Sequence, residues 1–126
     1  MKRILLMVFK NIFLVPYMWC KLCYYAGHVE KYTEQQIYKM LTFIVLRANK
    51  GGRVTIDVHG KENIPEKDGF MFFPNHQGLY DVLAIVEACS HPFSVVAKKE
   101  VENVQFLKQV FKCMKAYTMD RSDVRQ

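Results

Sequence analysis

Residues 69–89 read GFMFFPNHQGLYDVLAIVEAC, and the change of pattern inside them decides what kind of fold this chain has. After Gly69 the run from Phe70 to Phe73 is apolar at every position, as in a strand buried on both faces. Pro74 ends that run, because proline has no N–H to give to a ladder. Asn75 and Gly78 are turn and helix-start residues, and Leu79 to Cys89 carries the apolar spacing of an amphipathic helix. Strand, tight turn and helix in immediate succession are the unit from which parallel sheets with crossover helices are built.

His76 and Asp81 lie across that turn. Five residues apart on one continuous helix, two side chains point about 140° apart and do not meet. The spacing therefore places His76 in the turn and Asp81 in the first turn of the helix, where the carboxylate can reach the imidazole.

Outward from this unit the pattern repeats. Upstream, Arg53 to Gly60 alternates Val54, Ile56 and Val58 with polar residues, which predicts a half-buried strand, and a turn from Glu62 to Gly69 joins it to the apolar run. Downstream the sequence predicts a strand from Phe93 to Ala97, a helix over residues 102–115 and a strand from Ala116 to Met119. Strands alternating with helices predict an α/β fold with a mainly parallel sheet and crossover helices. Working residues in such sheets sit at the carboxyl ends of strands, and His76, Lys98 and Arg121 each follow a predicted strand end.

The first 52 residues are of another kind. They hold eight Lys or Arg against two Glu, whereas residues 53–126 hold ten of each sign, so the whole net charge of +6 precedes the predicted sheet. The chain accordingly divides into an amino-terminal helical hairpin, 1–52, and an α/β segment, 53–126. Basic residues in the first part are interleaved with the apolar runs Ile4 to Phe9, Ile12 to Cys20 and Leu22 to Ala26, without any nucleic-acid motif. That pattern points to an anionic membrane surface and away from nucleic acid. On one helical projection Arg3, Lys10 and Lys21 fall within about 20° of each other as a basic stripe. Tyr17, Trp19, Tyr24 and Tyr25 are aromatics of the kind that collect where lipid meets water.

A cleaved signal peptide fits poorly, because Lys10 interrupts the apolar core and no small-x-small cleavage site follows. A full span from Ile4 to Ala26 is long enough, but Lys10 inside it costs about 2.5–3.5 kcal/mol, and Pro16 kinks it. The expectation is a helix lying in one leaflet, with a full span as the alternative. A second helix begins at the capping box of Thr33 and Gln36, carries Ile37, Met40, Leu41, Ile44 and Val45 at helical spacing, and stops at Gly51 and Gly52. Its spacing suits packing on the domain as well as on a membrane.

Four cysteines form no disulfide framework. Cys20 and Cys23 make a CxxC followed by His28, but no second ligand pair exists, so no metal site is expected. Cys20, Cys23, Cys89 and Cys113 read as small buried apolar residues, in keeping with a reducing cytoplasmic face. His28, His59 and His91 have no acid at a useful spacing and read as structural.

Three ordered matches carry a family resemblance. NHQGLYD at 75–81 is similar to the NHxxxxD signature of the phospholipid-synthesis acyltransferases that esterify 1-acyl-glycerol-3-phosphate. VAKKEV at 96–101 resembles that family's AK-basic-E-aliphatic segment, and YTMDR at 117–121 resembles its second block, apolar residues ending in Asp-Arg. The resemblance covers about residues 53–126, the first half of the expected catalytic domain. A third block, FPEG followed by Thr or Ser and Arg, does not occur in the sequence, which on this reading is an amino-terminal portion, inactive by itself.

The resemblance implies a membrane-associated enzyme at the cytoplasmic face. It would move a fatty acyl group from a thioester of acyl carrier protein or coenzyme A to the hydroxyl of a lysophospholipid acceptor, 1-acyl-glycerol-3-phosphate, giving phosphatidic acid. No cofactor is implied beyond the thioester co-substrate. In that chemistry His76 is the general base and Asp81 orients it. Asn75 and Gly78 shape the substrate site, and Lys98 and Arg121 hold the acceptor's phosphate. The chain has no GxSxG elbow, and its three serines are Ser90, Ser94 and Ser122, which suits a mechanism without an acyl-enzyme. Two other readings stay open: an acyltransferase for a different lysolipid, and a non-catalytic membrane-interface module in which residues 53–126 only pack on the hairpin.

Overall fold

The computed structural model describes residues 2–75, 80–99 and 103–120, with Arg3 described by its backbone alone. Among these residues lie five α-helices and two strands: α1 (Lys2–Lys10), α2 (Val15–Gly27), α3 (Glu34–Gly52), α4 (Tyr80–Ala88), β1 (Val96–Lys98), α5 (Gln105–Cys113) and β2 (Tyr117–Met119). The class is α/β, as expected, with a two-stranded parallel sheet. The chain forms two compact units, Met1–Ile12 with Thr42–His91, and Phe13–Leu41 with Pro92–Gln126, so α3 contributes one end to each.

The second unit contains the sheet. Val96 pairs with Tyr117, Ala97 with Thr118 and Lys98 with Met119, and α5 makes the crossover between the two strands. Helix α5 packs on α2, whose buried Met18, Leu22 and Ala26 recur every four residues along one stripe. Leu22 is fully enclosed there, and Trp19 stacks on Phe106 with ring centroids 6.4 Å apart. Pro16 sits in the first turn of α2, where its missing N–H leaves no bond unmade, so it starts this helix rather than kinking a longer one. The capping box forms as expected: the Thr33 N–H donates to Gln36 Oε1 at 3.0 Å, and the Gln36 N–H donates to Thr33 Oγ1 at 3.3 Å. Helix α5 ends in a Schellman motif with Lys115 in the left-handed region (φ 49°), the Lys115 N–H on Lys112 O and the Ala116 N–H on Phe111 O.

The first unit joins α1 to the carboxyl half of α3. Met7 and Asn11 are buried there, and Asn11 Nδ2 donates to Met7 O at 2.8 Å and to Arg47 O at 3.1 Å. The Asn11 N–H also donates to Met7 O, so that carbonyl carries both bonds, and residues 11–14 form a turn. The stripe of Arg3, Lys10 and Lys21 is therefore not formed as read, because α1 ends at Lys10 and Lys21 belongs to α2. No single described helix is long and apolar enough to cross a membrane, although α1 and α2 together pass by length and composition.

Gly51 and Gly52 differ from expectation as well. Both are buried inside the last turn of α3, where a β-carbon on Gly51 would run into Asn11 Nδ2 and one on Gly52 into the Met7 side chain. The residue that ends the helix in the left-handed region is Arg53 (φ 52°), with its N–H on Lys50 O and the Val54 N–H on Asn49 O. The glycines are thus needed for close approach of α1.

Two predicted strands have no ladder among the described residues, 53–60 and 70–73. Residues 53–57 keep their alternation of half-buried and exposed positions without a hydrogen-bonded neighbour, since a periodicity of two reports on faces and not on partners. Met71 and Phe73 are exposed, the latter 87%, where burial on both faces was expected. Such burial needs covered faces on either side, which the two-stranded sheet does not supply. Cys20, also expected inside, is exposed because it lies two residues from the Met18–Leu22–Ala26 stripe and so on the other side of α2.

Candidate active site

Pro74 and Asn75 are exposed and end the apolar run, and α4 begins at Tyr80 with Asp81 as the acidic residue of its first turn. An acidic group there lies at the favourable end of the helix dipole. His76, Gln77, Gly78 and Leu79 lie outside the described residues, so the distance from His76 to Asp81 is not fixed. The local plan on which the pairing depends is present on both sides: no helix over 70–75, and a helix from Tyr80 onward.

Helix α4 is held to α3 by polar contacts that the sequence reading missed. The Tyr80 hydroxyl donates to Asn49 Oδ1, and Asn49 Nδ2 donates to the Glu87 carboxylate. Asn49 was legible in principle, since it continues the four-residue ladder Ile37, Leu41, Val45, and a polar residue on such a stripe demands partners.

In the second unit the carboxyl ends of β1 and β2 lie at one edge, as a parallel pair requires. Lys98 is the last residue of β1, exposed, on the same sheet face as its partner Met119. Lys99 Nζ reaches Asp120 Oδ2 at 3.3 Å and so ties the two strand ends together. Arg121, next in sequence, lies outside the described residues. Lys98 is thus the last residue of the strand and not the one after it, while Lys99 bridges the edge.

The remaining titratable groups make weaker sites. Two imidazole–carboxylate pairs absent from the sequence reading occur, His59 Nε2 with Asp57 and His91 Nδ1 with Asp68, both at 3.1 Å. The first pair is almost fully exposed, and the second joins Phe70 at the surface, so neither faces an enclosed cleft. His28 Nδ1 lies 2.9 Å from Tyr24 O at the end of α2. Burial, with the neighbouring Cys23 thiol second, pushes the Cys113 thiol up to about 11, so it stays protonated at neutral pH and is no nucleophile. No cluster of His, Cys, Asp or Glu that could hold a metal ion occurs among the described residues. A cleft of about 110 Å³ in the second unit and one of about 420 Å³ in the first are lined by neither Asn75, Asp81 nor Lys98.

A family model described as Acyltransferase matches residues 55–126, more than half of the chain. No curated protein and no solved structure matches.

Proposed function

We infer acyl transfer to a lysophospholipid from one premise: the chain belongs to the Acyltransferase family, whose model spans His76, Asp81, Lys98 and Arg121. Membership carries an acyltransferase activity. The acceptor 1-acyl-glycerol-3-phosphate and the product phosphatidic acid are our finer reading.

The observation that carries it is the placement of Asp81 in the first turn of α4 with His76 five residues before it. In our reading the acceptor hydroxyl attacks the carbonyl carbon of the acyl thioester while His76 removes its proton. Asp81 accepts the other ring N–H, which fixes the tautomer and stabilises the imidazolium. When the tetrahedral intermediate collapses, the carbon–sulfur bond breaks, the thiolate leaves, and the proton on His76 passes to sulfur. The backbone N–H groups of the segment between Gly78 and Tyr80 would receive the oxyanion. Lys98, at the end of β1, and Arg121, two residues beyond β2 in the sequence, would hold the phosphate, Arg121 through two parallel bonds.

A membrane surface supplies the acceptor in this reading. Helix α1 exposes Ile4, Leu5, Val8 and Phe9 together with Lys2 and Lys10, an apolar face with basic residues suited to anionic lipid. Incubation of the chain, extended through an FPEG–Thr/Ser–Arg block, with labelled acyl thioester and a panel of lysolipids tests the substrate class. Label in phosphatidic acid from 1-acyl-glycerol-3-phosphate is the expected result, and label only in a product lacking a phosphomonoester would refute the phosphate-binding roles of Lys98 and Arg121.

A further inference from the structure

Asn49 stands on the buried stripe of α3 and is 3% exposed. An amide in such a place needs a partner at each of its two ends. Both partners come from α4, the Tyr80 hydroxyl on its Oδ1 and the Glu87 carboxylate at its Nδ2. Tyr80 and Glu87 are seven residues apart, two helical turns, and so share one face. One side chain therefore grips α4 at its first residue and again two turns on, which sets both the roll of that helix and its slide along α3. Apolar packing would hold the helices together but would admit neighbouring registers, whereas paired polar groups admit one.

Asp81 is the residue after Tyr80, about 100° round the helix from it. A roll of α4 by about 10° moves a side-chain tip roughly 1 Å, given a helix radius with side chains of about 5–6 Å. Displacements of that size cost on the order of 10²-fold in rate where an acid–base pair must be aligned.

We propose that Asn49 is a positioning residue for acyl transfer: through Tyr80 and Glu87 it sets the roll of α4 that presents Asp81 to His76. The role rests on the functions assigned above to His76 and Asp81. It assigns a task to a helix outside residues 55–126, so the acid–base geometry is built partly by the segment that precedes the matched domain.

The test uses the chain extended through an FPEG–Thr/Ser–Arg block and two readouts, the titration of the His76 imidazole by NMR and the kcat and KM of acyl transfer. Asp81→Asn serves as reference, since it removes the charge that steadies the imidazolium and lowers the midpoint of the His76 titration. Asn49→Asp keeps an acceptor for Tyr80 but sets carboxylate against carboxylate at Glu87. Adding Glu87→Gln restores a donor–acceptor pair in the reverse sense. Asn49→Asp should move the His76 midpoint in the direction of Asp81→Asn, although a new negative charge alone would raise it. It should also lower kcat on the order of 10²-fold with acceptor KM within about threefold. Asn49→Asp with Glu87→Gln should return both towards the parent, and Tyr80→Phe should give a smaller change of the same sign.

A His76 midpoint unmoved in Asn49→Asp and Tyr80→Phe, or a shift that Glu87→Gln does not reverse, overturns the proposal whatever the activity. If Asn49→Asp does not fold, Tyr80→Phe, which loses only a hydroxyl, decides by the same titration. A midpoint that moves as predicted in a protein transferring no acyl group would leave the positioning role standing and refute the function from which it was argued.

Discussion

Gly51 has no room for a β-carbon, because the amide of Asn11 occupies that space while bonded to Met7 O and Arg47 O. Helix propensity alone favours alanine at an interior helix position by about 1 kcal/mol. Here the sign reverses: Gly51→Ala must displace a buried amide and should cost about 1–3 kcal/mol, read as a fall in the midpoint of urea unfolding. An unchanged or raised midpoint would show that α1 is not seated on α3 as described. The sequence reads the two glycines as a helix stop and misses their role in seating α1, because their partners lie some forty residues earlier and only the fold brings them there. The same holds for Asn49, whose partners are on α4, thirty-one and thirty-eight residues on. Local chemistry was readable where both partners are local, as in the capping box of Thr33 and Gln36.

At the scale of elements, helices were legible and strands only in part. Helices α3, α4 and α5 fall within the stretches their apolar spacing marked, since helical hydrogen bonds are made within the segment itself. A strand needs a neighbour, and sequence alternation at 53–60 names none. The aromatics of α2 show a related ambiguity: Trp19 and Tyr25 read as lipid-facing, yet Trp19 stacks on Phe106 and Tyr25 on Tyr32 within the unit. The packing of α2 on α5 has two measurable consequences. Leu22→Ala empties a fully enclosed site and should cost about 2–5 kcal/mol. Cys113 keeps its proton up to about 11 in the folded chain, against an ordinary thiol value of 9.0. Unfolding therefore releases a proton from Cys113 between those values, and its contribution to stability, fully present below 9.0, is lost as pH rises towards 11. Cys113→Ala should flatten the decline of unfolding free energy over that window, and an unaltered slope would mean that the thiol is not sheltered.

For the whole molecule, the charge map of the sequence sets a basic, apolar first part beside a charge-balanced remainder, and in the proposed function the first meets the membrane and the second does the chemistry. The chain should bind vesicles of anionic lipid, with affinity that drops as salt rises from about 0.1 M to 1 M and the Debye length shrinks threefold. Lys2→Gln with Lys10→Gln should weaken it on the order of 30-fold, at about 1 kcal/mol for each cation. Binding indifferent to salt would favour insertion of the apolar runs instead. The candidate site was legible as motif and spacing, and the structure fixes Asp81 on α4 and Lys98 at the end of β1. The ladder of α3 marks Asn49 as needing partners but does not name Tyr80 or Glu87, which only the fold brings to it. The central claim is that His76 is the base of an acyl transfer, and the most direct measurement is single-turnover transfer of a labelled acyl group from thioester to 1-acyl-glycerol-3-phosphate by a parent extended through an FPEG–Thr/Ser–Arg block and by its His76→Ala variant. The account predicts transfer by the parent and a loss on the order of 10²- to 10⁴-fold in the variant, with acceptor binding retained. Equal rates in the two proteins would contradict it.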